Sequence, residues 1–254
     1  MIKKLWMIFA LFTLLTGTIL SQELEIYTEI SGLAQFYDEK GELVGSSIEI
    51  VREIQNRIGD TTNIQVVPWA RGYHALENKA HVILFSTTLT EDRKPKFKWV
   101  GPLYRLDWAF FVKKGSQIKL NSLEEAKKLS SIGTYRDDAR EQFLIQEGFT
   151  NLDSARNSVI NVKKLIAGRI DAVIASDAGL KVSLEELGST LDDVEKAFIV
   201  RTYELFIAFS KETPDIIVDE WRKALKEMYQ DGTFKKIYSK WYPDLDLPQY
   251  KVIK

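Results

Sequence analysis

The 254-residue chain contains no cysteine and only two histidines. Without cysteine it has no disulfide, no thiolate metal site and no thiol to carry a lipid at a mature N-terminus. The histidines, His74 and His81, lie far from any second ligand-type cluster, so they read as ordinary helix and loop residues; no metal and no cofactor is expected. An excess of one charge sign is also missing, since 35 Lys and Arg face 36 Asp and Glu. Interspersed, nearly balanced charge gives no support to nucleic-acid binding. Low-complexity stretches and solenoid periods are absent. A long hydrophobic span is lacking too, because the apolar run Leu5 to Leu20 falls short of the ~20 residues that cross a bilayer.

What is present begins with that run. A basic start at Lys3 and Lys4, the apolar stretch, and a polar turn at Ser21-Gln22-Glu23 have the build of a secretory signal peptide. We expect residues 1–21 to be cleaved near Ser21 and the mature protein to be a periplasmic monomer. Its net charge then moves from −1 to −3, because Lys3 and Lys4 leave and no acid does.

The mature part alternates strand and helix patterns, as an α/β sheet requires. Leu24 to Glu29 alternates like a strand, and Asp38-Glu39-Lys40-Gly41 is a turn signal. Ser46 or Ser47 caps a helix with Ile48, Val51, Ile54 and Ile58 at helical spacing and Gly59 past its end. A strand at 64–67, a helix at 71–78 and a strand at 82–85 follow, the last ending in Ser86-Thr87-Thr88. Ser122-Leu123-Glu124-Glu125 is a capping box. A strand at 131–135, helices at 137–147 and 158–167, and a buried strand at 170–175 complete the middle section. That strand ends at Ser176-Asp177, so two strands deliver hydroxyls at their ends. The alike runs 109–114 and 205–211 read as strands paired with each other that cross between two lobes. Amphipathic helices at 216–229 and 234–241 close the chain.

Within this pattern DEKGELVG (38–45), TEDRKPKFKWVGPLY (90–104), GRIDAVIASD (168–177), LFIAFSKETP (205–214) and DGTFKKIYSKWYP (231–243) stand in a fixed order. In these pieces, across nearly all of the mature chain, the sequence resembles the family 3 periplasmic solute-binding proteins. The resemblance implies a type II periplasmic-binding-protein fold: each lobe a mixed sheet flanked by helices, joined by two hinge strands. Lobe I would hold residues 22–110 and 206–254, and lobe II residues 111–205. Ligands in such sheets sit beyond the carboxyl ends of strands. The resemblance further implies that Thr90 caps a helix, that Ser86 and Thr88 offer hydroxyls, and that Arg93 holds a ligand carboxylate with its planar fork. On the residues alone, Arg93 reads rather as a surface arginine paired with Glu91 or Asp92.

The chain departs from the family pattern where a ligand ammonium is held. Ser176 stands where the family carries an acid, with Asp177 beside it. Leu33-Ala34 replaces the usual aromatic, and Tyr135-Arg136-Asp137-Asp138 replaces a Gly-Ser/Thr loop. Glu29 at the first strand's end, Trp69, Arg71, Tyr135 and Arg136 complete the expected pocket. Trp69 offers a flat wall, and the arginines favour an anionic or neutral acid over basic amino acids. The implied function is to close over a small polar, carboxylate-bearing solute and deliver it to the permease of an ABC importer. The alternatives are a ligand-sensing protein without a transporter, or a cyclohexadienyl-dehydratase-like enzyme on the same fold. No Ser-His-Asp set is visible, and no catalytic residue is assigned.

Overall fold

A computed structural model describes residues 24–243 and 245–253; the signal segment expected at residues 1–21 lies outside the described residues. The first strand, β1 (Glu25–Thr28), leads through a 3-10 turn (Gly32–Ala34) to a short hairpin of β2 (Phe36–Tyr37) and β3 (Leu43–Val44). Then come α1 (Ser46–Ile58), β4 (Ile64–Val66), α2 (Trp69–Asn78) and β5 (Val82–Thr88). Two 16-residue strands, β6 (Lys98–Lys113) and β10 (Val194–Phe209), form the spine of the molecule. Between them lie α3 (Leu123–Ala126), β7 (Ile132–Tyr135), α4 (Ala139–Gln146), β8 (Leu152–Ala155), α5 (Ser158–Ile166), β9 (Ala172–Ala175) and α6 (Asp177–Glu186). Helices α7 (Asp215–Gln230) and α8 (Thr233–Trp241) end the chain.

The eight-stranded sheet has the order β4-β1-β5-β10-β6-β9-β7-β8. Strands β1, β4 and β5 are parallel to one another, as are β7, β8 and β9, and each set meets the central pair antiparallel. Parallel neighbours need helical crossovers, and those helices cover both faces. Alternation along the strands divides the cores accordingly. Ile26 packs with α1 and α7 residues such as Ile54 and Trp221, while its neighbour Tyr27 packs with Trp69, Tyr73 and Trp99. At the other end Phe110 joins Ile132, Leu144 and Phe149, while Phe111 joins Val162, Leu165 and Leu184. The result is a two-lobed α/β fold with the two long strands running from one lobe into the other. Among the described residues no helix is long and apolar enough to cross a membrane.

Four local expectations change. Neither Ser46 nor Ser47 caps α1: both lie inside the helix, and Gly45 holds the N-cap position without a side-chain bond. Strand β5 does not stop at Phe85 but runs through Thr88, with Thr87 and Thr88 paired to β10 across a bulge and Ser86 at φ 60°. Thr90 caps no helix: its Oγ accepts from Arg93 N at 3.2 Å within a chain of turns. The alike runs lie on paired strands but do not pair with each other. Leu205 stands opposite Tyr104, and Ala109 opposite Ile199. Antiparallel pairing sets the end of one strand against the start of the other, so two runs near the same ends cannot meet.

Candidate functional site

The carboxyl ends of β1, β5, β7 and β9 converge on a cavity of about 850 Å³ between the two lobes. This follows from topology, because strand ends facing the crossing point have no further ladder partners. One lobe contributes Glu29 just past β1, Trp69 and Arg71 from the first turn of α2, and Ser86 and Thr88 from β5. The opposite lobe contributes Tyr135 and Arg136, then Asp138 and Arg140 where α4 begins. Ser176, also on the wall, is buried and caps α6, its Oγ accepting from Gly179 N at 3.2 Å.

Several bonds cross the cleft. Trp69 N donates to the Tyr135 hydroxyl at 3.0 Å, and Trp69 Nε1 donates to the Asp137 carbonyl at 3.0 Å. The Tyr135 hydroxyl donates to Glu29 Oε2 at 3.2 Å. Burial pushes the Glu29 carboxyl up to about 8, and the Asp138 charge adds to the rise against the opposing pull of Arg140 and Tyr135. Burial and the neighbouring Glu29 raise the Tyr135 hydroxyl above its ordinary value. Burial also works against the charge of Asp138, but its bidentate pairing with Arg140 outweighs that and holds it low. Asp138 Oδ1 accepts from Arg140 Nε at 2.5 Å, and Oδ2 accepts from NH2 at 3.0 Å. The same Oδ1 accepts from Arg140 N at 2.9 Å and so caps α4.

Two expected site residues are elsewhere. Arg93, 1% exposed, does not line the cavity. Its guanidinium lies 4.5 Å from the Tyr73 ring centroid and 5.2 Å from that of Trp69. Its Nε donates to Gln142 Oε1 and its NH2 to the Asp137 carbonyl, both at 3.2 Å. A weakly hydrated, planar cation stacks well on aromatic faces, and the turns after Thr90 deliver it there instead of into a helix facing the cleft. Asp177 is the second correction. Strand β9 has ended at Ala175, so Asp177 opens α6, is exposed, and pairs with Lys196 at 2.6 Å outside the cavity.

Sequence reasoning missed Asp138 and Arg140. The available signal was an Asp before a helical run, an N-cap pattern, but Asp137 and Asp138 compete for that place and nothing local decides between them. Trp108 is buried against Tyr203 and also borders the cavity. Trp99 is core. His74 lies on α2 beside Asn78, and His81 in the following loop. Among the described residues no cluster of His, Asp and Glu is placed to hold a metal ion.

Comparison with known proteins agrees with this architecture. The arginine-binding periplasmic protein of Mannheimia haemolytica is 24% identical, covering 91% of this chain and 97% of its own. The arginine-binding extracellular protein of Bacillus subtilis is 25% identical over 81% of this chain and 80% of its own. These relatives are binding proteins rather than enzymes. A crystallised histidine kinase sensor domain with similarity to periplasmic binding proteins shares the fold, with a TM-score of 0.76 at 17% identity over 87% of this chain and 96% of that one. An ancestral arginine-binding protein bound to arginine superposes with a TM-score of 0.73 at 26% identity, over 86% and 97%. The family model for bacterial extracellular solute-binding proteins, family 3, matches residues 31–244, and the chain belongs to that family.

Proposed function

We propose that the protein closes its lobes over a small carboxylate-bearing solute, an amino acid or a related acid, and passes it to the membrane permease of an ABC importer. The observation that carries this reading is the interlobe cavity, walled by polar groups from both lobes and bridged by hydrogen bonds between them. Residues 22–110 with 206–254 would move as one body and 111–205 as the other, which fits the change of core along β6 near Trp108. Relatives named for arginine, cystine and histidine support an amino-acid-type ligand.

Within that class the cavity's charge favours an acid. Arg71, Arg136 and Arg156 stand at the exposed rim against Glu186. Glu29 is held in its neutral form near pH 7, and Asp138 is already neutralised by Arg140. Asp177, turned outside and paired with Lys196, is not placed to receive a ligand ammonium in the cavity. Trp69 would receive a flat or apolar group. The contacts are Glu29, Trp69, Arg71, Ser86, Thr88, Tyr135, Arg136 and Ser176. The protein would act as a periplasmic monomer after removal of residues 1–21. A thermal-shift panel of the amino acids with aliphatic and aromatic carboxylic acids tests the reading, with calorimetry on the hits. We expect anionic or neutral acids to lead; arginine or lysine binding tightest would overturn the preference.

A further inference from the structure

We propose that Arg140, positioned by Asp138, is the arginine that anchors the carboxylate of the ligand, and that Arg93 instead holds the lobes together. The inference rests on the reading of the cleft as a carboxylate site and names the group that recognises it.

The two arginines differ in what their forks have left to give. Arg93 spends Nε on Gln142 and NH2 on the Asp137 carbonyl, and its NH1 is sealed from solvent without a partner. Its hydrogen bonds to Gln142 and the Asp137 carbonyl both go to the opposite lobe, so it ties α4 and the loop before it to the neighbourhood of α2. Its guanidinium is stacked on the Tyr73 and Trp69 rings. Arg140 lies on the cavity wall, with Nε and NH2 fixed on Asp138. Its NH1 has no hydrogen-bond partner among the described residues and is not among the sealed groups. A bidentate pair locks the plane of the guanidinium, so the remaining edge is held ready at no rotamer cost on binding.

An arginine already paired with one carboxylate needs help to accept a second. Glu29 supplies it, because in its acid form it adds no negative charge and carries an O–H donor beside Tyr135. The first turn of α4, which bears Arg140, adds the positive end of a helix dipole. Asp138 thus fixes the arginine, and the neutral Glu29 leaves room for an anion.

The test uses residues 22–254 and the panel above, with each carboxylic acid measured beside its primary carboxamide. Arg140→Ala should weaken the best acid at least about 30-fold and abolish the preference for acid over amide. Arg140→Lys should recover part of it. Arg93→Ala should weaken acid and amide by the same factor, as loss of an interlobe tie would. Melting temperature without ligand checks the fold; if Arg140→Ala melts early, Asp138→Asn with Arg140→Gln leaves no buried ion unpaired and gives the same readout. A preserved acid preference without Arg140, or its loss in Arg93→Ala, overturns the inference while leaving the carboxylate reading intact. If no acid binds the unmutated protein better than its amide, it is the carboxylate reading that fails.

Discussion

Glu29 sits half-buried past the end of β1, its carboxyl raised from 4.5 to about 8 chiefly by burial. Between those values the folded chain holds a proton that the unfolded chain has released, so this group's contribution falls as pH rises through that window. Its favourable part is complete below the unfolded value and gone above the folded one. Glu29→Gln removes the linkage. We expect the variant to melt with the unmutated protein at pH 4 and several degrees above it at pH 8. Melting scans from pH 4 to 9 check this; parallel curves would show Glu29 ionised in the fold. Glu29 and Trp69 were legible as cleft residues because each adjoins a strand end or helix start, which the periodicity locates. Arg93 was not, since its destination depends on Tyr73 and Gln142, distant in sequence. Which way Asp177 points turned on whether β9 ends one residue earlier, a boundary that periodicity leaves open.

At the scale of elements, the caps decide which substitutions the fold tolerates. Ser176 caps α6 with its hydroxyl, and Asp caps a helix as well as Ser does. Ser176→Asp should therefore melt within a few degrees of the unmutated protein while adding a negative charge to the cavity wall, and it should shift the panel toward solutes bearing an ammonium. Ser176→Ala should cost about 1 kcal/mol by denaturant titration. Gly45, ahead of α1, is the opposite case. It sits at φ 129°, and an added Cβ would lie 2.4 Å from the Ala34 carbonyl oxygen, a backbone atom that cannot step aside. Gly45→Ala should lose at least about 2 kcal/mol of stability in the same titration, and an unchanged midpoint would mean that the 3-10 turn moves freely.

Across the whole molecule, the lobes touch at the cleft's edge as well as through the crossing bonds. Gly32 of one lobe lies against Ala178 of the other, close enough that a Cβ on Gly32 would meet the Ala178 Cβ at 2.8 Å. Replacing Ala178 by Trp should wedge the lobes apart without touching either core. Small-angle scattering should then show a larger radius of gyration, and the best ligand of the panel should bind more weakly because closure contributes to affinity. Unchanged scattering would show that α6 shifts to admit the ring.

The α/β class was settled by the sequence alone, through apolar periodicity and its punctuation at 59, 68, 148 and 168 by glycine or proline, because burial acts on each element through its own neighbours. The cleft between two lobes came from the resemblance to a known family, and the ends of β5 and β9 were fixed only in the structure. What the tertiary structure alone decided was charge placement: Arg93 stacked against Tyr73 and tied to the opposite lobe, Asp177 paired with Lys196 outside, Asp138 and Arg140 locked together inside. An ion settles where its desolvation is best compensated, and the partners that compensate these four are joined by packing as often as by chain.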